Sequence, residues 1–337
     1  MLDYPTRENI TTTNLESNFD AIALPKNTEK VLEIINSIES VEVKLKNAVK
    51  ELVADTIAKV TQRYGKDGQG AKPFHDGDHT VDVILDGIEI FDKYAKEYPA
   101  LTSKYKLLAI MAFAGHDSVQ SHNPYSEIGA NEAASIRELR EDISSKRLRE
   151  QGLISDGDLI SLDKMLTATT YDIENHRQLL SNSQIASTDD VLERVIALAD
   201  MRDIGVWRKQ HWRGNRFFWE LHGEEYEEAK SRNDTLKQIG LVKKWFMEQQ
   251  NFITKHIIYL EQFGPIGKEI YPDFIVNSEL YNKLIERAEL LESQFRENPD
   301  STSIDQALRQ LLTKDEQVAN NIKESLGFNL LKHPSIP

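Results

Sequence analysis

The chain has 337 residues and a formal net charge of −14, with 39% hydrophobic residues, 28% charged residues and no cysteine. That length is ample for a buried core and gives a prior of roughly two domains, while the missing cysteine excludes disulfides, zinc–thiolate sites and cysteine nucleophiles. The acidic balance argues against broad nucleic-acid binding, which wants a basic surface, and any metal site must draw on His, Asp and Glu, ligands suited to harder divalent ions.

The first twenty residues are polar and carry no apolar signal-peptide core. No apolar run reaches the roughly 18 residues of a transmembrane helix, so the expectation is a cytoplasmic protein without a membrane span. Residues 1–25 read as an irregular arm. From Asn27 to Tyr64 apolar residues recur at three- and four-residue spacings, the helical pattern. The glycine-rich stretch Tyr64 to Gly70 interrupts it. Periodicity returns over Thr80 to Tyr94, and Pro99 closes that element. Leu107 to Ala114 is apolar on every side, which predicts a helix buried all round, and it runs directly into Gly115-His116-Asp117. Residues 121–130 are polar and loop-like. Helical patterns follow at Asn131–Leu148, Asp156–Thr167, Val191–Met201, Tyr226–Tyr259, Ser278–Glu297 and Ser303–Leu326, the last opening on a Ser303/Gln306 spacing that fits a capping box. No repeat, low-complexity tract or strand-and-turn series interrupts the series, so the expected fold class is all-α, a bundle of a dozen or more helices.

Three elements carry chemistry. His75 and His79 stand four apart and would share a face on a helix, although a pair of surface histidines has the same spacing. His116-Asp117 ends the buried helix, where a carboxylate that cannot reach water must be paired or metal-bound; a histidine favourable to the helix dipole, followed by a turn-starting Asp, is the plainer reading. Asp200 closes the apolar run Val195-Ile196-Ala197-Leu198-Ala199, which by itself fits an acid placed where a helix leaves the core. The aromatic-basic stretch from Arg202 to Trp219, with Arg208, Lys209, Arg213 and Arg216, reads either as a positive rim for a phosphate or as a packed helix with its arginine stems on the surface. The packed helix is the favoured reading. His176, His211, His222, His256 and His333 have no motif around them and read as structural.

Taken in order, His79, then His116-Asp117, then Asp200 resembles the HD-domain superfamily of metal-dependent phosphohydrolases. Within it, Phe74-His75-Asp76-Gly77-Asp78-His79-Thr80-Val81-Asp82-Val83 is similar to the Tyr-His-Asn-x-x-His-x-x-Asp-Val signature of class I cyclic-nucleotide phosphodiesterases, and Ala199-Asp200 is similar to that family's Ala-Asp-Leu element. The resemblance covers roughly residues 70–265. It departs at Phe74, where the family has Tyr, at Asp76, where it has Asn, and after His116-Asp117, where Ser118 to Asn123 replaces a further Asp-His and Pro-Gly.

The resemblance implies a phosphodiesterase-like bundle of helices and a chain divided into an N-terminal arm and helices over 1–65, an HD-type catalytic core over 66–265 and C-terminal helices over 266–337, or else one continuous helical domain. It implies two divalent ions (Zn, Mg, Mn or Fe) held by His79, His116, Asp117 and Asp200, with Asp117 bridging and the ions generating the hydroxide that attacks the phosphorus. His75 then protonates the leaving oxygen as a general acid. Gln249 and Phe252 match the Gln and Phe that hold a purine in the family. His122 would take over a displaced supporting role, and Glu132 would hold a water of the centre. The implied activity is hydrolysis of a small phosphorylated nucleotide, a 3′,5′-cyclic nucleotide in the first place. The alternatives are a nucleotidase or phosphomonoesterase of the same superfamily, or a non-catalytic module that keeps the fold.

Overall fold

A computed structural model describes the backbone of residues 24–66, 68, 70–120, 127–172, 174–175, 177–205, 207–299, 306–308 and 311, and the side chains of these apart from residues 203–215, 272 and 273. The described residues are overwhelmingly helical, and the chain is an all-α bundle. In chain order the elements are α1 (Thr28–Ser37), α2 (Val43–Tyr64), α3 (Gly77–Glu97), α4 (Ser103–Gly115), α5 (Ala130–Ser145), α6 (Asp156–Thr167), the short strands β1 (Tyr171–Asp172) and β2 (Arg177–Gln178), α7 (Thr188–Gly205), α8 (Trp207–Ser231), α9 (Thr235–Tyr259), a 3-10 turn (Leu260–Phe263) and α10 (Gly264–Glu297).

The apolar run after Leu107 becomes the centre of the molecule. Leu107 to Gly115 are all buried, and α4 packs against α2, α3, α5, α6 and α7. A helix without a polar face is stable only when enclosed in this way. The other helices present one apolar side to it, and a single core cluster runs from Val31 to Leu311. Arg194 on α7 is fully buried within this core. Its guanidinium donates to three backbone carbonyls, those of Asp190 (2.8 Å), Asn182 (2.8 Å) and Gln262 (2.5 Å), which ties α7 to two neighbouring connections.

Several boundaries differ from the sequence reading. The 27–64 pattern is two helices, separated at residues 38–42. The Tyr226–Tyr259 pattern is also two, because Asn233 takes a left-handed backbone (φ 54°) and Asp234 then caps α9 by accepting from the Lys237 amide at 3.0 Å. The helix expected from Ser278 begins earlier, at Gly264, with a proline in its first turn where no amide partner is needed. No strand was expected, yet β1 and β2 pair antiparallel, Tyr171 opposite Gln178 and Asp172 opposite Arg177; two residues per strand are too few to leave a period-2 signal. A complete capping box occurs at Ser155/Asp158, whereas Ser303 and most of the helix expected after it lie outside the described residues. Among the described residues no helix is long and apolar enough to cross a membrane.

Candidate metal centre

The first residue of the candidate centre is set by a helix start. Asp76 is the N-cap of α3, and its carboxylate accepts from the His79 amide at 3.1 Å, satisfying one of the donors that a helix N-terminus leaves open. Gly77 follows because a Cβ there would run into the Thr61 side chain of α2. With the helix begun at Gly77, His79 falls on the inner face of its first turn and is almost wholly buried. The shared helix face that the four-residue spacing of His75 and His79 would have given had both been helical does not arise, because the Asp76 cap places His75 before the helix.

The second and third residues of the candidate centre come from the end of α4. His116 caps that helix and is buried. Its Nδ1 donates to the Phe113 carbonyl at 2.8 Å; a carbonyl only accepts, so the proton of the neutral ring sits on Nδ1 and the Nε2 lone pair faces inward. Asp117 follows, its Oδ2 lying 3.1 Å from His116 Nε2 and 3.3 Å from His79 Nε2. The fourth residue, Asp200, approaches from α7 with Oδ1 3.6 Å from His116 Nε2 and 3.9 Å from His79 Nε2. Asp200 does not close its helix as expected, since α7 continues to Gly205.

Ligand atoms of His79, His116, Asp117 and Asp200 all lie within 4.8 Å of one another. Ligands at about 2.0–2.3 Å from a common ion stand at most roughly 4.6 Å apart, so the group needs only a small contraction to close on one. The chemistry of the site points the same way. His116 Nε2 is sealed from water, and the groups it faces are carboxylate oxygens, which cannot donate to the lone pair of the neutral ring. Burial opposes charge on His116, but Asp117 and Asp200 together drive its affinity for a proton well above that of an ordinary histidine. Burial likewise works against the charge on Asp117, and His116 and His79 overcome it and hold the carboxyl well below the usual range. Two buried imidazole nitrogens facing two half-buried carboxylates fit a divalent cation.

Around this centre the residues take different places. Gln120 donates from Nε2 to Asp117 Oδ1 at 2.7 Å, accepts on Oε1 from Asn131 Nδ2 at 3.1 Å, and donates its backbone amide to the Tyr64 hydroxyl at 2.7 Å. Glu132, at the start of α5, is half-buried; burial first, then the charges of Asp117 and Asp200, push its carboxyl up, so it belongs to the electrostatic surroundings of the centre. His122 lies outside the described residues. Phe74 packs its ring on His79 at 4.6 Å and against Phe217 at 4.9 Å.

His75 stands beside the centre, its ring edge-on to His79 at 5.7 Å. Its partner is Glu220 of α8. Glu220 Oε1 accepts from His75 Nδ1 at 2.6 Å and from Lys72 Nζ at 3.3 Å, and Oε2 accepts from the backbone amides of Phe74 (3.0 Å) and His75 (3.1 Å). One carboxylate therefore fixes both the loop and the ring. Desolvation works against a charged His75, but the Glu220 charge and hydrogen bond outweigh it and leave the imidazole more basic than usual. Glu220 is held well below the ordinary carboxylate range, burial notwithstanding, by His75 and Lys72.

Gln249 and Phe252 lie on α9. Gln249 is buried. The Phe252 ring lies against Tyr171 of β1 (4.7 Å) and His256 (4.1 Å), and His256 Nε2 is 2.9 Å from Gln178 of β2. In the aromatic-basic stretch Arg216 pairs with the capping carboxylate of Asp76, while the side chains of Arg208, Lys209 and Arg213 lie outside the description. His222, read as structural, is nearly buried and meets Glu248 at 3.2 Å.

Sequence reasoning missed Glu220, Gln120 and Asn131. Glu220 had a usable signal, an acid directly after Phe217-Phe218-Trp219 on a helix, because a carboxylate drawn into an aromatic core must be paired. Gln120 and Asn131 sit among other polar loop and helix-start residues and had none. No protein-family model matches the chain, and no curated protein matches it.

Proposed function

We propose that the chain is a metal-dependent phosphohydrolase of the HD type, and that its substrate is a small nucleotide phosphate ester, a 3′,5′-cyclic nucleotide in the first place. The observation that carries this reading is the meeting of His79, His116, Asp117 and Asp200 within 4.8 Å, beside a histidine that a buried carboxylate orients. His79, His116 and Asp200, with Asp117 Oδ2, would hold the tighter divalent ion, and Asp117 would share its carboxylate with a second. An ion there supplies Lewis acidity, neutralising phosphoryl charge and acidifying water.

The chain's own groups supply the rest. With Nδ1 committed to Glu220, His75 has only Nε2 left for a proton exchanged with substrate. Glu220 stabilises the protonated ring, which suits a group that delivers a proton to a departing oxygen. Phe74 and Phe217 wall one side of His75 and His79 with apolar surface, limiting access of water to the proton in transit. The net charge of −14 does not exclude an anionic substrate, because a bound cation is the largest charge in its neighbourhood.

The engagement of Phe252 with Tyr171 and His256 favours a second reading, in which that aromatic supports the β1–β2 hairpin, does not clamp a purine, and the enzyme is a nucleotidase or phosphomonoesterase. A hydrolysis screen with added manganese, magnesium or zinc separates the two. A cyclic purine nucleotide, a nucleoside monophosphate and bis(nitrophenyl) phosphate are offered to the wild type and to Asp117→Ala. Hydrolysis that a chelator and Asp117→Ala both abolish is the expected result. Cleavage of the monophosphate alone selects the second reading, and hydrolysis undiminished in Asp117→Ala refutes both.

A further inference from the structure

We propose that Gln120 controls how many ions the centre takes, by holding Asp117 Oδ1 away from a second one; this rests on the reading of the four-residue cluster as a metal centre. A carboxylate can bridge two cations through its two oxygens. Here Oδ2 faces the imidazoles of His79 and His116, and Oδ1 is the oxygen left for a second ion. That oxygen already accepts a charge-assisted bond of 2.7 Å from the Gln120 amide.

The amide is pinned at both ends. Its Oε1 accepts from Asn131 Nδ2 at 3.1 Å, and the residue's own backbone amide is fixed on the Tyr64 hydroxyl at 2.7 Å. Turned over, the amide would set Oε1 against Asp117 Oδ1, two acceptors face to face, and Nε2 against the Asn131 donor. The N–H therefore stays aimed at Asp117, and an N–H donor cannot share that oxygen with a cation approaching from the same side. The first ion binds with Gln120 in place; the second binds only after this hydrogen bond breaks, so the two affinities separate. Gln120 is a positioning residue, acting on the ions through Asp117.

The test measures ion binding, not turnover. Full-length protein stripped of metal is titrated with manganese(II) in equilibrium dialysis, and bound ions per chain are read against free manganese. Wild type should fill one tight site, with the second requiring at least tenfold more free manganese. Gln120→Ala removes the donor, and Gln120→Glu replaces it with a carboxylate of the same shape. Each should bring the second affinity at least tenfold closer to the first, about the size of one hydrogen bond to a charged group, while the first moves less than threefold. Asn131→Ala, which unpins the amide, should shift the second affinity in the same direction by less, and it serves as the reading if the Gln120 variants do not fold. Two indistinguishable sites in wild type, or a second affinity unmoved in the folded variants, overturns the inference while leaving the metal centre intact. A wild type that binds no manganese at all overturns the metal centre itself, and the inference with it.

Discussion

His75 Nδ1 and Glu220 Oε1 meet at 2.6 Å although 145 residues separate them in the chain. The same carboxylate takes the backbone amides of Phe74 and His75 on its other oxygen, so the loop holds in place the acceptor that orients the ring. Glu220→Gln keeps an acceptor for the two amides and removes the charge. Because Glu220 raises the affinity of His75 for its proton, the variant should lose that proton at lower pH. The alkaline limb of the kcat profile should move to lower pH, with kcat at neutral pH down by about 10–100-fold and KM nearly unchanged. A purely structural Glu220 would lower the amount of folded enzyme and leave the profile where it was.

His75→Ala tests the acid itself. It should keep the metal, since His75 is outside the four-residue cluster, and lose roughly 10²-fold or more in kcat on an ester with a poor leaving group. On a nitrophenyl ester, whose leaving oxygen needs little protonation, the loss should shrink. Equal losses on the two esters would remove His75 from the acid role.

Asp117→Ala should abolish ion binding and turnover together. Its carboxylate lies closer to both imidazoles than that of Asp200, so the variant leaves the cluster with a single, more distant carboxylate. Dialysis against manganese reads the first effect and hydrolysis in the presence of excess manganese reads the second. Retained turnover in protein shown to be metal-free would refute the mechanism.

Gln249→Ala and Phe252→Ala discriminate base recognition from support of the fold. If the pair holds a purine, each variant should raise KM for a cyclic purine nucleotide by about tenfold, as loss of one hydrogen bond or one ring contact implies, and leave a base-free diester unaffected. Equal effects on the two substrates, together with a lower melting temperature for Phe252→Ala, would assign Phe252 to its packing on Tyr171 and His256.

Gly87→Ala probes the frame behind the ligands. A Cβ on Gly87 of α3 would strike the ring of Phe113, which is fully buried on α4. Overpacking of this kind costs about 1–3 kcal/mol, measurable by denaturant unfolding. Phe113 also offers the carbonyl that fixes His116 Nδ1, so manganese affinity should fall with stability. A variant as stable as wild type would show that α3 and α4 can slide apart without cost.

The four residues that could hold a metal ion were legible in the sequence because each belongs to a local pattern. Leu107 to Ala114 has no polar face, so it had to be central, and the His116-Asp117 pair at its end had to lie at the edge of the core. His79 and Asp200 sit in or against apolar runs that fix which side faces in. The all-α class followed from the same periodicity. What the sequence could not state was which distant groups meet. Asp76 caps α3 and so takes His75 off the helix; a two-residue hairpin carries Tyr171 to Phe252; Asp200 reaches the centre from within a helix, not from its end. The bonds of Glu220 to His75 and of Gln120 to Asp117 and Asn131 depend on how α8 lies against the 72–76 loop and how α5 lies against the turn after α4. Helical periodicity encodes the buried side of each element, a property of a few turns of chain. The register and angle at which two helices pack, which decide these polar pairings, are settled by all the side chains of the core together.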